Sequence, residues 1–478
     1  MSRRTLWIFA AVTILTISLL FAACGGGNST TQKASMASVN LTISDPPTCG
    51  VQQGGMFAHI YVTVRDVKIH TSATASDNAA GWVDLTPSLS AAAPRQIDLL
   101  GIADNNCFLA MLGSGTEIQP GTYQQMRVLL ANSGATPSNG DACNGAFNCV
   151  VLNDGKNTVS ALQLSSEAQT GIKIPSGQLA SGGFTVKPGD TKDLNIDFNA
   201  CASIVRQANG QFRLKPVLHA GEVNLTSQSI NGTVLDNATA QPIAGHVVVA
   251  LEQQDTTGTD RVIMETTANN LGQFVFCPVP TGSYDIVVAA VNDQGAAYAA
   301  TVTSGVQPGN ALGNVLMFAE SGTSTAPATL KGTLTTTTGS APVAADVVMS
   351  ALQSVKIGTA DVRVTIPLAL QNSTTMTVTT ATGQCAANTD CVDYSMALPA
   401  ANATVTAFSS TGTTYAANTS TPVNYTIEGA AFESPANETP DCTQPVLSAN
   451  TLSDGTSPLA VTAGNTFTAQ TLAFTGCQ

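Results

Sequence analysis

The chain has 478 residues, and its composition excludes several broad classes of protein. It carries 18 Lys and Arg against 31 Asp and Glu, for a net charge of −13, and no basic patch, so nucleic acid is not expected as a partner. Hydrophobic residues make up 43% of the chain, which is enough for packed cores and argues against disorder. Most of the polarity comes from Thr, Ser, Asn and Gln, which favours strands and turns over surface helices.

The N-terminus is typical of a bacterial export signal. Arg3 and Arg4 form a basic head, residues 6–23 carry no charge, and small residues lead into Cys24. The last four residues, 21–24, resemble the lipobox of bacterial lipoproteins, in which the cysteine is acylated and becomes the new N-terminus. Phe21 stands where that motif usually has Leu. We therefore predict a lipoprotein signal peptide at 1–23 and lipidation at Cys24, followed by a flexible Gly/Ser/Thr-rich tether at 24–38.

This prediction sets the expected location and has one alternative. Several lipid chains hold a protein firmly on a membrane, so the chain is expected to be lipid-anchored in a bacterial cell envelope. Gly25, rather than Asp, follows the cysteine, which favours the outer membrane in a cell with two membranes. The alternative is an uncleaved membrane helix, although a charge-free run from 6 to 23 is barely long enough to span a bilayer.

Ten cysteines remain after Cys24, an even number that export would place in an oxidising compartment. Two close pairs, Cys143 with Cys149 and Cys385 with Cys391, bracket short loops and are predicted to form local disulfides. The other candidate pairs are Cys442 with Cys477 and Cys49 with Cys107, which leaves Cys201 and Cys277 unassigned. A zinc site is not expected, because the chain has no Cys-x-x-Cys and no His in a ligand spacing.

Residues 39–225 are predicted to form a first β-domain. In the stretch 59–69, apolar and polar residues alternate, and the alternation shifts by one residue after Arg65–Asp66, which indicates a β-bulge with a local ion pair. Trp82 is placed in a short strand at 81–85, and the stretch 97–112 could hold one short helix. Many short strands separated by turn signals predict a sandwich.

The order of several segments carries a family resemblance in this domain. The segments are 39–45, 61–70, 98–100, 121–130, 184–198 and 212–218. In this order they resemble the domain of unknown function 4382 family of bacterial lipoproteins. The resemblance implies a β-sandwich and an envelope location, and it brings no catalytic residues with it.

Residues 228–318 are predicted to form a second β-domain with a different resemblance. Gly272-Gln273-Phe274 and the later Gly282-Ser283-Tyr284 are set among apolar strands. This pattern resembles the carboxypeptidase regulatory-like domain, a transthyretin-like (prealbumin-like) seven-stranded sandwich often grouped with carbohydrate-binding folds. Such modules serve mostly as accessories, so the resemblance implies a fold rather than an activity.

Residues 328–478 are predicted to form a third, divergent β-sandwich behind a linker at 319–327. Its beginning repeats the second domain. Gly232, Thr233, Pro242, Ala244 and Val247–Val248 recur 100 residues later as Gly332, Thr333, Pro342, Ala344 and Val347–Val348. The fold class expected for the whole chain is therefore all-β, with tandem β-sandwich domains.

The sequence shows no familiar catalytic constellation. It has no Gly-x-Ser-x-Gly elbow, no His-Glu-x-x-His helix and no phosphate-binding loop with Lys. Two of its four histidines, His59 and His70, are interpreted as solvated strand residues. Acidic and amide residues at 139–148 and 255–260 could bind calcium, but ordinary turn chemistry explains them.

These observations predict a non-catalytic binding role without a cofactor or metal. The partners considered are the membrane through the N-terminal lipid, and a glycan or an envelope protein. Trp82 is the candidate ligand-binding residue, because it is the one Trp outside the signal, although a core position would also explain it. The alternatives are a structural or assembly lipoprotein without a small ligand and, more remotely, a hydrolase with an unrecognised site.

Overall fold

A computed structural model of the chain describes residues 35–477, apart from 45–55, 77, 103–109, 133, 135, 165–170, 175–178, 180–182, 199, 207–209, 215–217, 224–228, 278, 280–281, 338–344, 381–384, 386–388, 434–441 and 445. The predicted signal peptide, Cys24, and the Cys49–Cys107 pair lie outside the described residues. None of the helices in the described part is long and apolar enough to cross a membrane.

Within the residues that the structure describes, the first domain consists of short strands and two one-turn helices. The strands are β1 (Ala37–Ser44), β2 (Phe57–His70), β3 (Val83–Asp84), β4 (Arg95–Asp98), β5 (Ala110–Ile118), β6 (Gly121–Tyr123), β7 (Gln125–Leu130), β8 (Cys149–Leu152), β9 (Val159–Leu164), β10 (Ile172–Ile174), β11 (Phe184–Val186), β12 (Thr191–Phe198), β13 (Ile204–Arg206), β14 (Phe212–Leu214) and β15 (Leu218–Val223). The helices are α1 (Leu99–Ile102) and α2 (Ala200–Ser203).

These strands form two main sheets around one core. One sheet has the order β15-β12-β1-β5, and the other runs β10-β7-β2-β8-β9-β14-β13, with β3 and β4 also paired to β2. A single hydrophobic cluster includes Leu41 and Ile196 of the first sheet and Ile60 and Val128 of the second. Burial of these side chains between the sheets makes the domain a β-sandwich, as the sequence predicted.

The structure confirms one local prediction for this domain and limits or corrects two others. The bulge in β2 is confirmed, because its pairing with β7 shifts register between Val64 and Asp66, and Asp66 forms an ion pair with Lys68 at 3.0 Å. The short helix expected within 97–112 is present at Leu99–Ile102. It does not reach the end of that range, because Ala110–Ile118 is a strand that pairs with β1. Strand β1 begins at Ala37, inside the expected tether 24–38.

The second domain is a sandwich of two four-stranded sheets. Its strands are β16 (Ile230–Asp236), β17 (Gly245–Gln254), β18 (Asp260–Thr267), β19 (Gln273–Phe276), β20 (Tyr284–Asn292), β21 (Tyr298–Ala299), β22 (Thr301–Val306) and β23 (Ala311–Ala319). They pair in the orders β19-β16-β23-β21 and β18-β17-β20-β22.

The β17 sheet of this domain is buried on both faces. Val249 and Leu251 of β17 belong to the core of the second domain, whereas Ala250, between them, belongs to a cluster made mostly of third-domain residues. Side chains alternate between the two faces of a strand, so the two faces pack against different domains. This explains why 247–251 is an uninterrupted apolar run rather than an alternating one.

The third domain contains the remaining strands and a 3-10 turn at Ala369–Gln371. The strands are β24 (Ala328–Thr337), β25 (Ala345–Ile357), β26 (Ala360–Thr365), β27 (Met376–Thr379), β28 (Asp390–Leu398), β29 (Thr404–Ala407), β30 (Val423–Asn424), β31 (Thr426–Glu433), β32 (Val446–Ala449), β33 (Ala460–Val461), β34 (Thr466–Thr468) and β35 (Leu472–Thr475). One sheet centres on β24 and the other on β25, which pairs with β26, β27 and β31.

The repeat seen in the sequence corresponds to a repeat in the structure. In both domains the first strand of the unit, β16 or β24, lies inside one sheet and the second, β17 or β25, lies inside another. Gly232 and Gly332 occupy matching positions with a tyrosine or phenylalanine ring against them. A Cβ atom would come within 2.9 Å of the Phe274 ring at Gly232, and it would also clash with Tyr394 at Gly332. The repeated glycine thus makes room for an aromatic side chain.

The third domain completes the second. Strand β29 leaves the third domain and pairs in parallel with β22, extending the β17 sheet. Beyond it, Tyr415 is buried in the core of the second domain, where its hydroxyl lies 3.1 Å from the Thr303 hydroxyl. We call residues 404–415 the strap. The predicted domain boundary at 318 therefore leaves out Tyr415, which belongs to the core of the second domain.

We predict that Tyr415→Ala lowers the free energy of unfolding by about 3 kcal/mol, because it removes a buried ring from the core of a neighbouring domain. Tyr415→Phe keeps the ring, loses only the contact with Thr303, and is expected to cost about 1 kcal/mol. Chemical denaturation of the oxidised chain measures both. Equal and negligible effects of the two changes would show that the strap does not support the second domain.

Candidate functional site

Exposed aromatic side chains are scarce, which narrows the search for a binding surface. Of the seven tyrosines, all but Tyr61 are buried. Tyr61 lies on β2 of the first domain, on the face that also carries His59 and Thr63. Strand alternation identifies this polar face in the sequence, but only the structure shows that Tyr61 alone among the tyrosines is half-buried.

His59, Tyr61 and Asp98 form a fixed group at this position. Tyr61 pairs directly with Asp98 across β2 and β4, and His59 Nδ1 lies 2.6 Å from Asp98 Oδ2. The rings of His59 and Tyr61 stack with centroids 5.6 Å apart and an interplanar angle of 25°. The His59 side chain is 47% exposed. Burial, and secondarily the negative charge of Asp98, raises the pKa of Tyr61, so its hydroxyl stays protonated and able to donate a hydrogen bond.

Gly101 gives Asp98 the space to hold the imidazole. A Cβ atom at Gly101 would lie 2.6 Å from Asp98 Oδ2, the same oxygen that contacts His59. A side chain at this position would therefore displace the carboxylate. The short helix Leu99–Ile102 thus positions the acid as well as ending β4.

A disulfide-bonded loop borders the same face of β2. Within the loop closed by Cys143 and Cys149, Asn144 and Phe147 have φ of 53° and 59°, which is an unusual conformation for an aromatic residue. The Phe147 carbonyl accepts hydrogen bonds from Thr63 Oγ1 and from Gln96 Nε2, the latter at 2.9 Å. The loop is thus anchored to β2 and β4 beside Tyr61. Strained residues that the surrounding structure holds in place are frequent in binding sites.

We call His59, Tyr61, Asp98 and Phe147 the His59 surface. It combines stacked planar side chains, a carboxylate and a half-buried phenylalanine on a sheet braced by a disulfide. Planar rings offer an apolar face to a ligand, while the imidazole and the carboxylate offer hydrogen bonds. The arrangement can hold a small polar ligand, but it has no nucleophile paired with a base.

Trp82, the candidate from the sequence, lies elsewhere and is already engaged. It is half-buried just before β3, and its indole N–H donates to the Ser76 carbonyl at 2.8 Å. The Arg127 guanidinium lies 5.0 Å from the centre of the indole ring, and the His70 ring lies 5.1 Å away. Its polar atom and much of its ring therefore serve packing within the first domain.

The interpretation of His70 as a solvated strand residue is wrong. His70 is only 8% exposed, and its Nδ1 accepts the Ser72 N–H at 2.8 Å. Its Nε2 then carries the proton and donates to the Ala80 carbonyl at 3.1 Å. The segment after β2 folds back over this end of the strand, whereas the end that carries His59 stays open.

Three of the expected disulfides are present in the structure: Cys143–Cys149, Cys385–Cys391 and Cys442–Cys477. Cys277, which the sequence left unassigned, is also disulfide-bonded.

The acidic turns considered for calcium are occupied by their own backbone. Asp141 accepts hydrogen bonds from the N–H groups of Cys143 and Gly145 at 3.0 and 2.6 Å. Asp255 accepts the N–H of Thr257 at 2.7 Å and is 3.0 Å from Arg261 Nε. Across the described ranges, no three His, Cys, Asp or Glu side chains are grouped so that they could hold a metal ion.

A second group of titratable side chains is buried where the domains meet. Glu252, Asp260, Glu265 and Asp285 all project from the face of the β17 sheet that packs against the third domain. Their register shows this, because Glu252 pairs with Asp285, Gln254 with Asp260 and Ala250 with Glu265. We call these four residues the acidic face. The first three are completely buried.

The acidic face is tied to both neighbouring domains. Glu252 accepts the Thr365 N–H at 3.0 Å and Glu265 accepts the Thr374 N–H at 2.7 Å, and both donors belong to the third domain. In the first domain, Asp197 and His219 are paired on β12 and β15, and the charge of Glu265 raises the pKa of both side chains. Burial is the larger effect on both, and it raises the pKa of Asp197 and lowers that of His219, so burial favours the neutral form of each.

This junction brings together side chains that are also used in catalysis. Ser373 and Thr374 donate to Glu265, and His219 is near the same carboxylate. However, Ser373, Thr374, His219 and Glu265 are each no more than 1% exposed. Because no substrate can reach these atoms, their arrangement serves to join domains.

The comparison with protein families concerns the first domain. Residues 36–216 match the family described as Domain of unknown function (DUF4382). The resemblance read from the segments at 39–45 through 212–218 is thereby confirmed. The family description assigns no activity. No curated protein matches the sequence.

Comparison with solved structures gives only remote likenesses. The chain is similar to the TIE protein of Bacillus anthracis at 10% identity and a TM-score of 0.16, with 92% of this chain and 51% of that protein covered, so it spans about half of that protein. It is also similar to the minor pilin of Streptococcus agalactiae, at 11% identity, 52% and 96% coverage and a TM-score of 0.17. At such scores, neither likeness bears on function.

We predict that Trp82→Ala lowers the free energy of unfolding by about 2 kcal/mol, because a half-buried ring and its contacts with His70 and Arg127 are lost. Trp82→Phe retains a ring but leaves the Ser76 carbonyl without the indole N–H, and should cost about 1 kcal/mol. Thermal and urea denaturation, followed through the unfolding transition of the first domain, measure the effects of both substitutions. A fully stable Trp82→Ala protein would show that the ring does not serve packing.

Proposed function

We propose that this chain is an exported protein of the bacterial cell envelope, anchored by lipid at Cys24, with a non-catalytic binding role. The observation that carries the proposal is the set of disulfides in the first and third domains. Disulfides persist in oxidising compartments and are rare in the cytosol. They agree with the export signal at 1–23, and the lipobox-like 21–24 supports anchoring.

The His59 surface is the binding site that the geometry supports best. Its stacked rings are held by Asp98 before any ligand arrives, so binding would cost little ordering of side chains. Sugars present both apolar C–H faces and hydroxyl groups, which match a ring beside a carboxylate. We therefore propose a glycan of the envelope or of a contacted surface as the ligand. Trp82 remains the second candidate, with its ring in contact with His70 and Arg127.

A structural role in the envelope is the alternative, and the strap favours it. Because β29 and Tyr415 of the third domain complete the second, these two domains form one interlocked unit. An interlocked unit suits a spacer or an assembly subunit. This role needs no small ligand, so a binding experiment separates the two proposals.

We predict that Cys24→Ala releases the protein from membranes or leaves its precursor uncleaved, because the lipid cannot be attached. Fractionation and the mass of the N-terminal peptide measure the outcome. Asp361→Asn serves as a control, because it changes an exposed side chain of the third domain and leaves the signal and the disulfides intact. Normal processing and membrane retention of the Cys24→Ala protein would contradict lipid anchoring.

We predict saturable binding of the oxidised mature chain to at least one glycan in a panel of cell-wall polymers and surface polysaccharides. Tyr61→Ala and His59→Ala should each weaken it roughly tenfold or more, as expected for central contacts of a binding site. Asp98→Asn should weaken it as well, because an amide oxygen is a weaker hydrogen-bond acceptor for the imidazole than a carboxylate.

The matched control for Asp98→Asn is Asp361→Asn, which removes an exposed carboxylate in the third domain and should leave binding unchanged. Loss of binding with Trp82→Ala but not with Tyr61→Ala would move the site to Trp82. If a folded, oxidised chain binds no glycan, the structural role or a protein partner is the better account.

A further inference from the structure

The acidic face has an unusual composition for a domain interface. It places four carboxyl groups on one side of a sheet, next to Ala250, Val262 and Val287, which pack into the core of the third domain. Buried carboxylates are normally paired with cations or fully hydrogen-bonded. Here the third-domain donors are uncharged: the Thr365 N–H reaches Glu252, while the Thr374 N–H and the hydroxyl groups of Ser373 and Thr374 reach Glu265.

Asp260 is the most demanding member of the group. It is completely buried, and neither carboxylate oxygen has a conventional hydrogen-bond donor. The carboxyl group of Asp285 lies close enough for its charge to raise the pKa of Asp260, and two carboxyl groups can share a hydrogen bond only if one of them carries a proton. Complete burial without a donor makes the charged form of Asp260 costly, so the contact between the second and third domains favours a protonated Asp260.

The charged groups around Asp260 belong to strands of both the second and the third domain. On the second domain these are Glu252 of β17, Asp285 of β20, and Asp255 and Arg261 beside and on β18. Arg261 is turned to Asp255 and to Glu428 of β31. From β26 of the third domain, Arg363 donates its backbone N–H to the Gly258 carbonyl at 3.1 Å. The local balance is acidic, and the one cation on β18 is already shared by two other carboxylates.

We propose that the joint between the second and third domains is a pH-dependent lock, closed while Asp260 and Glu252 hold their protons and loosened when these protons are lost. The strap and the apolar contacts keep the two domains together in both states. The change is confined to the contact of the acidic face with Thr365 and Thr374.

The direction of the pH effect follows from linkage. Burial, with the nearby charge of Asp285, raises the pKa of Asp260 to about 8, and burial also raises the pKa of Glu252. When the joint opens, water solvates these groups and their pKa values return towards about 4. The closed state therefore binds more protons than the open state between about pH 4 and 8. Closure is strongest at the acidic end of this window and weakens as the pH rises through it.

Hydrogen-exchange mass spectrometry of the whole mature, oxidised chain tests the lock. The reporter is the peptide 362–376, which contains the amides of Thr365 and Thr374, and the reference is 286–290 in β20, inside the second domain. After correction for the intrinsic pH dependence of exchange, we expect reporter protection to fall about tenfold per pH unit for each proton released, between pH 5 and 8. The reference should stay protected, because the second domain does not unfold.

Two neutral variants identify the groups responsible. Asp260→Asn and Glu252→Gln each remove one titrating group while keeping its size, and each should flatten the dependence. Glu252→Gln also keeps an oxygen for the Thr365 N–H, so it serves if Asp260→Asn does not fold. Asp361→Asn, an exposed acid on the neighbouring β26, should behave as wild type.

The outcomes are distinct. A reporter whose protection falls with pH in the wild type and in Asp361→Asn, but less in the two neutral variants, supports the lock. A wild-type reporter with no corrected pH dependence, or one with the same dependence in all four proteins, would overturn it. Loss of protection in reporter and reference together would mean global unfolding, and would overturn it as well. None of these results depends on glycan binding.

Discussion

The burial of one sheet on both faces is the constraint on which the structure of the second and third domains depends. The β17 sheet packs its own core on one side and the third domain on the other, so Glu252, Asp260 and Glu265 on the second side cannot reach water. Each must find an amide, share a proton, or stay neutral. Glu252 and Glu265 accept hydrogen bonds from amides of the third domain, and burial, with the nearby charge of Asp285, raises the pKa of Asp260 and favours its neutral form. The domains of this chain are therefore joined by polar atoms as well as by apolar area.

The first domain meets the same constraint from its own side. Asp197 and His219 lie opposite each other on β12 and β15, buried within reach of the charge on Glu265. Elsewhere in the domain, His59 and Asp98 form a hydrogen-bonded acid–imidazole pair that is open to solvent. The same two side-chain types thus serve a junction in one place and an accessible surface in another. Solvent access, rather than residue type, separates a candidate binding site from a structural joint.

Much of the fold was predictable from local patterns, and the failures were non-local. The shifted alternation around Arg65–Asp66 predicted the bulge, and short spacing predicted Cys143–Cys149, because both signals involve residues close in sequence. His70 was misassigned because alternation identifies the polar face of β2 but not the loop that covers it. Ala110–Ile118 was mistaken in part for helix because its partner strand, β1, is far away in the sequence. The acidic face escaped detection for the same reason, since its four members converge only through strand register.

The strap has a consequence for how this chain would come to be folded. Strand β22 ends at Val306, but its partner β29 begins only at Thr404, after the first strands of the third domain. A protein that crosses a membrane from its N-terminus would present the second domain with an unsatisfied sheet edge until that stretch has followed. During this interval the exposed edge is open to wrong partners. In the described strand pairings, no strand of the first domain pairs with a strand of a later domain. The first domain can therefore fold before the later domains have followed.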